Sequence, residues 1–476
     1  MSLTDAATGR GTGHIAQSVP KLTPARKLTY ALGDFSGNTS LAALSLIYAS
    51  FFLISVGGLR PALAGLVPLI GRVFDAVADP LMGRISDLTR WRSGRRRPYF
   101  LIGAVPLGVT FALMWLVPPY ASQAGRFAYY TVVYSAHALA MTVVSVPHLA
   151  LQPEMALGYD ERTSLVTYRN AAALVGIMAA VSIRWVAGAF GAGGAPNWTL
   201  AGVAYGALIA VPWIAVWWAS FEREEFRTRS ARLGFIDGMR VIARHRNFRY
   251  LTGLYLAGRT SMDLVGTMLI LYFTYYIGRS GDFEPLLLMF LSVAALSLPF
   301  WLRMSEHSEK VRIFRAGSFW WMGAQLLLLV ATADWPRWIL FTFAPLAALG
   351  YAVVDLMPWS MLADVIDEDD VATGERREGV YHGVFLFLRK LGGAAGVFLA
   401  LGILDLAGFV PGTAQSPGTL TAIRVMASVG PAAGLLVGVW FSRGYALTRS
   451  EHAKLRAVLE SRERGRAELS PIAAAS

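Results

Sequence analysis

Mostly apolar runs of about 20 residues recur along the whole chain, separated by short polar turns, and that pattern predicts helices that cross a bilayer. A helix satisfies its own backbone in lipid, so helices are the expected element throughout. The pattern places twelve spans at residues 29-54, 61-83, 98-119, 127-150, 163-190, 199-220, 248-278, 284-303, 312-331, 336-362, 379-405 and 420-445. The longest polar interruption, Arg223 to Arg249, falls between the sixth and seventh spans. The expected fold is therefore an all-α membrane protein with twelve transmembrane helices in two six-helix bundles.

Charge orients these spans. Six arginines lie between Arg84 and Arg97 and eight between Arg223 and Arg249, whereas the intervening turns carry one apiece around Arg60, Arg126 and Arg279. Basic loops stay on the cytoplasmic side, so both termini are expected there, in a multi-pass protein of a plasma membrane such as a bacterial inner membrane. The domains follow as a disordered cytoplasmic tail over 1-28, bundles at 29-220 and 248-445, a cytoplasmic linker at 221-247 and a second tail at 446-476. Glu222, Glu224 and Glu225 with the following arginines suit a short amphipathic helix on the inner leaflet or a solvated loop. Acidic-then-basic loops recur at Glu154 to Arg162 and Asp364 to Glu378, matching places in the two halves, as an internal duplication would leave them.

Composition narrows the function. Hydrophobic residues make up 55% and charged residues 16%, outside the range of soluble domains. With no cysteine, disulfides, thiolate metal sites and cysteine nucleophiles are excluded. The net charge of +12 is explained by topology rather than by nucleic acid, because the basic residues sit in alternate loops and tails. The seven histidines show no metal-ligand or catalytic spacing, which argues against an enzyme. A non-transporting receptor or scaffold has the same sequence signature and is told apart by turnover.

Charge inside a span is where function is sought, because it is expensive there. Asp75 and Asp79 lie four residues apart on one helical face, followed by Pro80, which cannot donate to the carbonyl of Ala76. Two close carboxylates with a spare carbonyl suit a sodium ion or a proton; the alternative is that they only pair with Arg72 or with bases on other helices. Lys390 is the one of five lysines inside a predicted span, about 18 Å from the start of its helix at Glu378. An ammonium at that depth needs a carboxylate, and Asp75 and Asp79 are the candidates. Arg169, Arg184, Asp263 and Asp355 are further charges that line a polar cavity or form interhelical salt bridges. Tyr30, Asn38, Tyr134, His137, Tyr168 and Trp359 offer hydrogen bonds and flat faces of the kind that hold sugar-sized ligands. Gly83 and Asp87, closing with Arg95 in a basic cluster, read as a gate that latches the two bundles through Asp87, or as a plain topology anchor.

These residues carry a resemblance. Tyr30-Ala31-Leu32-Gly33-Asp34-Phe35, Arg72 to Gly83, Asp160-Glu161-Arg162-Thr163-Ser164 with Tyr168-Arg169, and Ala363-Asp364-Val365 followed by Arg377-Glu378-Gly379 and Lys390 are similar to the glycoside-pentoside-hexuronide:cation symporter family of the major facilitator superfamily, over nearly the whole chain. The resemblance implies cation-coupled symport of a sugar or glycoside by alternating access. Asp75 and Asp79 would bind the coupling cation beside Lys390, with both as the metal ligands if that ion is sodium. Arg169 would serve the substrate or cation region. The helix-one and helix-four aspartates that hold sugar in melibiose permease stand here as Asn38 and Ser145, so a galactoside is not implied. The substrate-side candidates are Asn38, Ser145, Arg169, Asp263, Asp355 and Trp359. No cofactor is expected beyond the coupling sodium or proton; the partners are a small solute, that cation and membrane lipids, and a monomer is expected. Sodium-dependent lysophospholipid symporters share the cation-site pattern, which makes a lysolipid the alternative cargo.

Overall fold

Proline and hydroxyl residues set where many of the helices begin. Thr23 accepts from the backbone N–H of Arg26 ahead of Pro24, Ser122 caps the fourth helix, and Ser416 accepts from Thr419 ahead of Pro417. The computed structural model describes residues 22–156, 159–191, 194–222, 244–374 and 377–473. Its helices are α1 (Pro24–Ala43), α2 (Pro61–Leu88), α3 (Pro98–Met114), α4 (Gln123–Met155), α5 (Tyr159–Val181), α6 (Ile183–Ala189), α7 (Ala195–Ala219), α8 (Arg246–Leu271), α9 (Phe283–His307), α10 (Lys310–Leu327), α11 (Arg337–Thr373), α12 (Glu378–Leu406), α13 (Pro417–Ser442) and α14 (Arg449–Ala473). Counting α5 and α6 as one span broken at Ser182, α1 to α13 supply twelve membrane helices. Most of the linker expected over 221-247, the amphipathic helix anticipated there, and most of the tail expected over 1-28 lie outside the described residues.

Nine of the described helices are long and apolar enough to cross a membrane on hydropathy alone. The other three deviate for readable reasons: α3 has 17 residues, α10 begins with Lys310, Arg312 and Arg315, and α8 carries Arg259 and Asp263 at its middle. Several helices outrun the apolar run that predicts them. Helix α11 extends to Thr373 because its polar end is held by partners, with Lys310 2.7 Å from Asp364 and Asn247 donating to Glu368 at 2.8 Å. The C-terminal segment is also helical, as α14, and docks on that same end: His452 Nε2 lies 3.1 Å from Asp367, and Arg462 donates to the carbonyl oxygen of Val371 at 3.0 Å.

The halves repeat one packing plan. α1 packs on α5 and α7, α3 on α4 and α7, and α2 on α4; in the second half α8 packs on α12 and α13, α10 on α11 and α13, and α9 on α11. The first helix of each half also widens at its end into π-helix, over Leu44–Val56 and Tyr272–Tyr276, closing with i→i+5 bonds from Gly57 N to Phe52 O (2.7 Å) and Ile277 N to Tyr272 O (3.0 Å). Between halves, α2 meets α12, α5 meets α9, and the widened end of α1 meets α8.

Those contacts gather from mid-span to the face opposite the arginine-rich loop. One continuous apolar core there joins Ile47, Phe52 and Leu53 of the first half to Leu264, Met268, Leu271 and Leu401 of the second. Gly65 lets α2 approach α12 closely, since a Cβ there would lie 2.9 Å from Phe398 Cα. The outward faces are apolar, with Val77, Val105, Trp218 and Leu296 exposed, as lipid contact requires.

Candidate functional site

Asp75 and Asp79 face the junction of the two halves from one side of α2. Lys390, on α12 of the other half, places its ammonium 2.7 Å from Asp79 and 3.7 Å from Asp75. Arg72, one turn before Asp75, donates to it at 2.9 Å, and Thr142 of α4 donates to the free oxygen of Asp79 at 2.7 Å. Asp75 is buried, whereas Asp79 and Lys390 keep about a third of their side chains exposed, 32% and 33%. Two acids and two bases thus face one another across the bundle interface, and the oxygen atoms of Asp75, Asp79 and Thr142 are of the hard kind that a sodium ion takes.

A second charged group lies in the first bundle. Arg169 of α5 grips Asp34 of α1 with two bonds, 2.6 and 2.8 Å, and also reaches Gln152; His148 Nε2 lies 3.1 Å from the same carboxylate. Tyr30 donates to the carbonyl oxygen of His148 at 2.5 Å, and its ring lies against the imidazole. Asn38 bonds back to the carbonyl oxygen of Asp34 at 2.8 Å, and Ser145 is half-buried on α4. His137 bridges Ser40 at 2.7 Å and Thr110 at 3.1 Å inside the bundle, which makes it a packing residue.

A third group lies in the second bundle. Arg259 pairs with Asp263 one turn along α8, at 2.8 Å, and stands 3.5 Å from Asp355 of α11. Trp359 packs on Tyr255 and Phe385 beside it. Asp263 and Asp355 therefore share one guanidinium, and Asp355 is 42% exposed.

The segment expected to gate holds together one bundle. Asp87 pairs with Arg96 of its own loop at 2.7 Å, and Arg95 and Arg96 both pair with Glu154 of α4. The backbone N–H groups of Arg95, Arg96 and Arg97 converge on the Glu222 carboxylate at 2.8, 2.8 and 3.0 Å. Gly94 permits this turn, with φ of +113° and no room for a Cβ, which would sit 2.5 Å from Glu222. In this state Asp87 latches the loop to its own half, through Arg96 nine residues on. Gly83 is not tightly packed, since a Cβ there would lie 3.8 Å from Val146.

Residues 29–449 match the model of the MFS/sugar transport protein family. The chain belongs to that family. Among its relatives is an uncharacterized symporter of Synechocystis sp., 29% identical over 94% of this chain and 98% of the relative. A sodium-dependent lysophosphatidylcholine symporter 1 of Gallus gallus is 24% identical over 93% of this chain and 90% of the relative. The fold is shared with a bacterial homolog of the human lysosomal transporter Spinster in an inward-facing, unoccupied conformation, at a TM-score of 0.64 and 13% identity over 92% of this chain and 96% of that one. The protein is a multi-pass membrane transporter.

Sequence reading singles out Asp75, Asp79, Lys390, Arg169, Asp263 and Asp355, and each sits in one of the three charged groups. It passes over Arg259, Thr142 and the roles of Asp34 and His148. Arg259 was legible in principle, as an arginine four residues before an aspartate within one span. Thr142 was not, since a lone threonine in an apolar helix carries no signal of its partner.

Proposed function

We propose that this transporter is a cation-coupled symporter that carries a sugar, glycoside or related small solute, with sodium or a proton as the coupling ion. The carrying observation is the ammonium of Lys390 lodged 2.7 and 3.7 Å from Asp79 and Asp75 across the bundle interface. A cation arriving at the carboxylates competes for that place. Its binding releases Lys390, loosens a tie between the halves, and links occupancy to their relative movement. The solute lies between the bundles, within reach of Arg169, Asn38 and Ser145 on one side and Arg259, Asp355 and Trp359 on the other.

Closure on the face opposite the arginine-rich loop supports an inward-facing state. The same charge pattern supports cytoplasmic termini in a plasma membrane, the bacterial inner membrane for a bacterial host, with bundles at 29-220 and 248-445 working as a monomer.

One observation favours an amphiphile instead. A cavity of about 100 Å³ between α8, α9, α10 and α11 is almost wholly apolar, lined by Leu269, Phe273, Leu287, Phe290 and Phe343 among others, and suits an alkyl chain better than a sugar.

Purified protein in liposomes, offered sugars, glycosides and lysolipids with and without an inward sodium or proton gradient, tests both. Gradient-driven accumulation that disappears in Asp75→Asn and Asp79→Asn is expected. Equilibration indifferent to any gradient refutes coupling, and uptake confined to lysolipids selects the second cargo.

A further inference from the structure

Arg389 stands next to Lys390 on α12, at the same depth in the membrane, and enters none of the ion pairs of the three charged groups. The turns before and after it fix the wall it faces. Phe385, one turn earlier, stacks on Tyr255 of α8 with ring centres 4.1 Å apart and packs on Trp359 of α11. Gly393, one turn later, lies against Asp263, since a Cβ there would come within 2.1 Å of that carboxylate. Arg389 lies on the same stripe between them, toward the wall of Arg259, Asp263, Asp355 and Trp359. Its side chain is half-buried and makes no hydrogen bond or ion pair among the described residues. Both acids of that wall turn to Arg259 instead, at 2.8 and 3.5 Å. The other mid-span bases of the charged groups each have a carboxylate: Arg72 has Asp75, Arg169 has Asp34 and Lys390 has Asp79. A base without an acid at this depth is costly, which marks it as a functional group rather than a structural one. The Tyr255 hydroxyl on the same wall is likewise buried with no hydrogen-bond partner among the described residues.

We propose that Arg389 is the residue of the solute site that reads charge, pairing with a single carboxylate of the solute, so that the cargo is an acidic small molecule. This rests on the solute site proposed above, between the bundles. Were Arg389 present only to neutralise Asp355, the two would stand within ion-pair reach, and Asp355 turns to Arg259. Charge selects the carboxylate over a phosphate monoester: one unpaired guanidinium balances one negative charge, whereas the ester carries about 1.5 to 2 at neutral pH. The planar fork of arginine holds both oxygens of a carboxylate at once, which an ammonium does not. The Tyr255 hydroxyl is a further donor at that wall, and the Trp359 ring offers an apolar face to the rest of the solute.

The test uses the full-length protein in detergent at neutral pH with sodium chloride present. Binding is titrated calorimetrically with matched probes, methyl β-D-glucuronide against methyl β-D-glucoside and methyl β-D-galacturonide against methyl β-D-galactoside, each pair differing only in a carboxylate for a hydroxymethyl group, and with glucose 6-phosphate. In the wild type an acid should bind about tenfold or more tighter than its neutral counterpart, the worth of a hydrogen bond to a charged group, and tighter than glucose 6-phosphate. Arg389→Gln should bring that ratio down to about one, and Arg389→Lys, which keeps the charge and loses the fork, should leave about threefold. A merely structural arginine would weaken both members of a pair alike and leave the ratio where it was. The ligand-free melting temperature reports folding, and Arg389→Lys keeps the test usable if Arg389→Gln does not fold. A wild-type ratio of about one, a ratio that survives Arg389→Gln, or one undiminished in Arg389→Lys overturns the proposal, and tighter binding of glucose 6-phosphate overturns its choice of a carboxylate. Neutral glycosides that bind where the acids do not leave the proposed function standing and remove this inference. A wild type that binds none of these probes refutes a sugar cargo and this inference with it.

Discussion

Glu284→Gln tests how the far face is held shut. Arg184 of α6 and Glu284 in the first turn of α9 form an ion pair of 2.9 Å between the bundles, with 17% and 2% of their side chains exposed. The guanidinium also lies 4.5 Å from the centre of the Phe51 ring. Two unit charges about 4 Å apart attract by ~4 kcal/mol at an effective dielectric of 20, and breaking a buried pair on one side costs about 3–5 kcal/mol. The penalty falls on the closed face alone, since opening returns Arg184 to water. At 1.4 kcal/mol per tenfold, the closed-to-open ratio should fall by about a hundredfold or more. The cysteine-free sequence makes this measurable: Leu46→Cys places one thiol beside Gly266 at the bundle interface, where the native Leu46 comes within 3.2 Å of a Cβ built there. Labelling by a membrane-impermeant maleimide from the far side should be slow with Glu284 intact and accelerate about a hundredfold in Glu284→Gln. A rate within twofold of the parent would show that the apolar core, and not the ion pair, holds that face closed.

Three further outcomes follow from single contacts. Thr142→Val removes the hydrogen bond to Asp79, worth about 1.5–3 kcal/mol to a charged acceptor, and should lower stability by about that amount, read as a drop in melting temperature. Gly94→Ala meets both a φ of +113° and the Glu222 carboxylate, and should lower stability by about 2 kcal/mol, read as a drop in melting temperature that Glu222→Ala does not add to in full. Glu451 accepts from the backbone and hydroxyl of Thr448, which hold its carboxyl below the usual range. A depressed carboxyl contributes stability at neutral pH that is lost as pH falls through the folded value, so hydrogen exchange in the first turn of α14 should speed up as pH drops below the ordinary carboxylate range, and in Glu451→Gln it should be fast at every pH.

Local chemistry by itself determined a good deal. Apolar run length located the spans, because insertion depends on the residues of one helix and on no partner. Asp75 and Asp79 could be placed on one face because the helical period alone sets their spacing. What lies between helices was decided by the tertiary structure. Lys390 and Asp79 are 311 residues apart in sequence and Arg169 and Asp34 are 135 apart, and no periodicity reports which of several carboxylates a buried base will meet. The same limit explains Asp87, whose expected latch between bundles is here a bond within one loop, and α8, whose central Arg259 and Asp263 depress its hydropathy while marking a charged group. A span's existence follows from what its side chains prefer, lipid or water, but a site follows from which helices touch, and that is fixed by packing along their whole length.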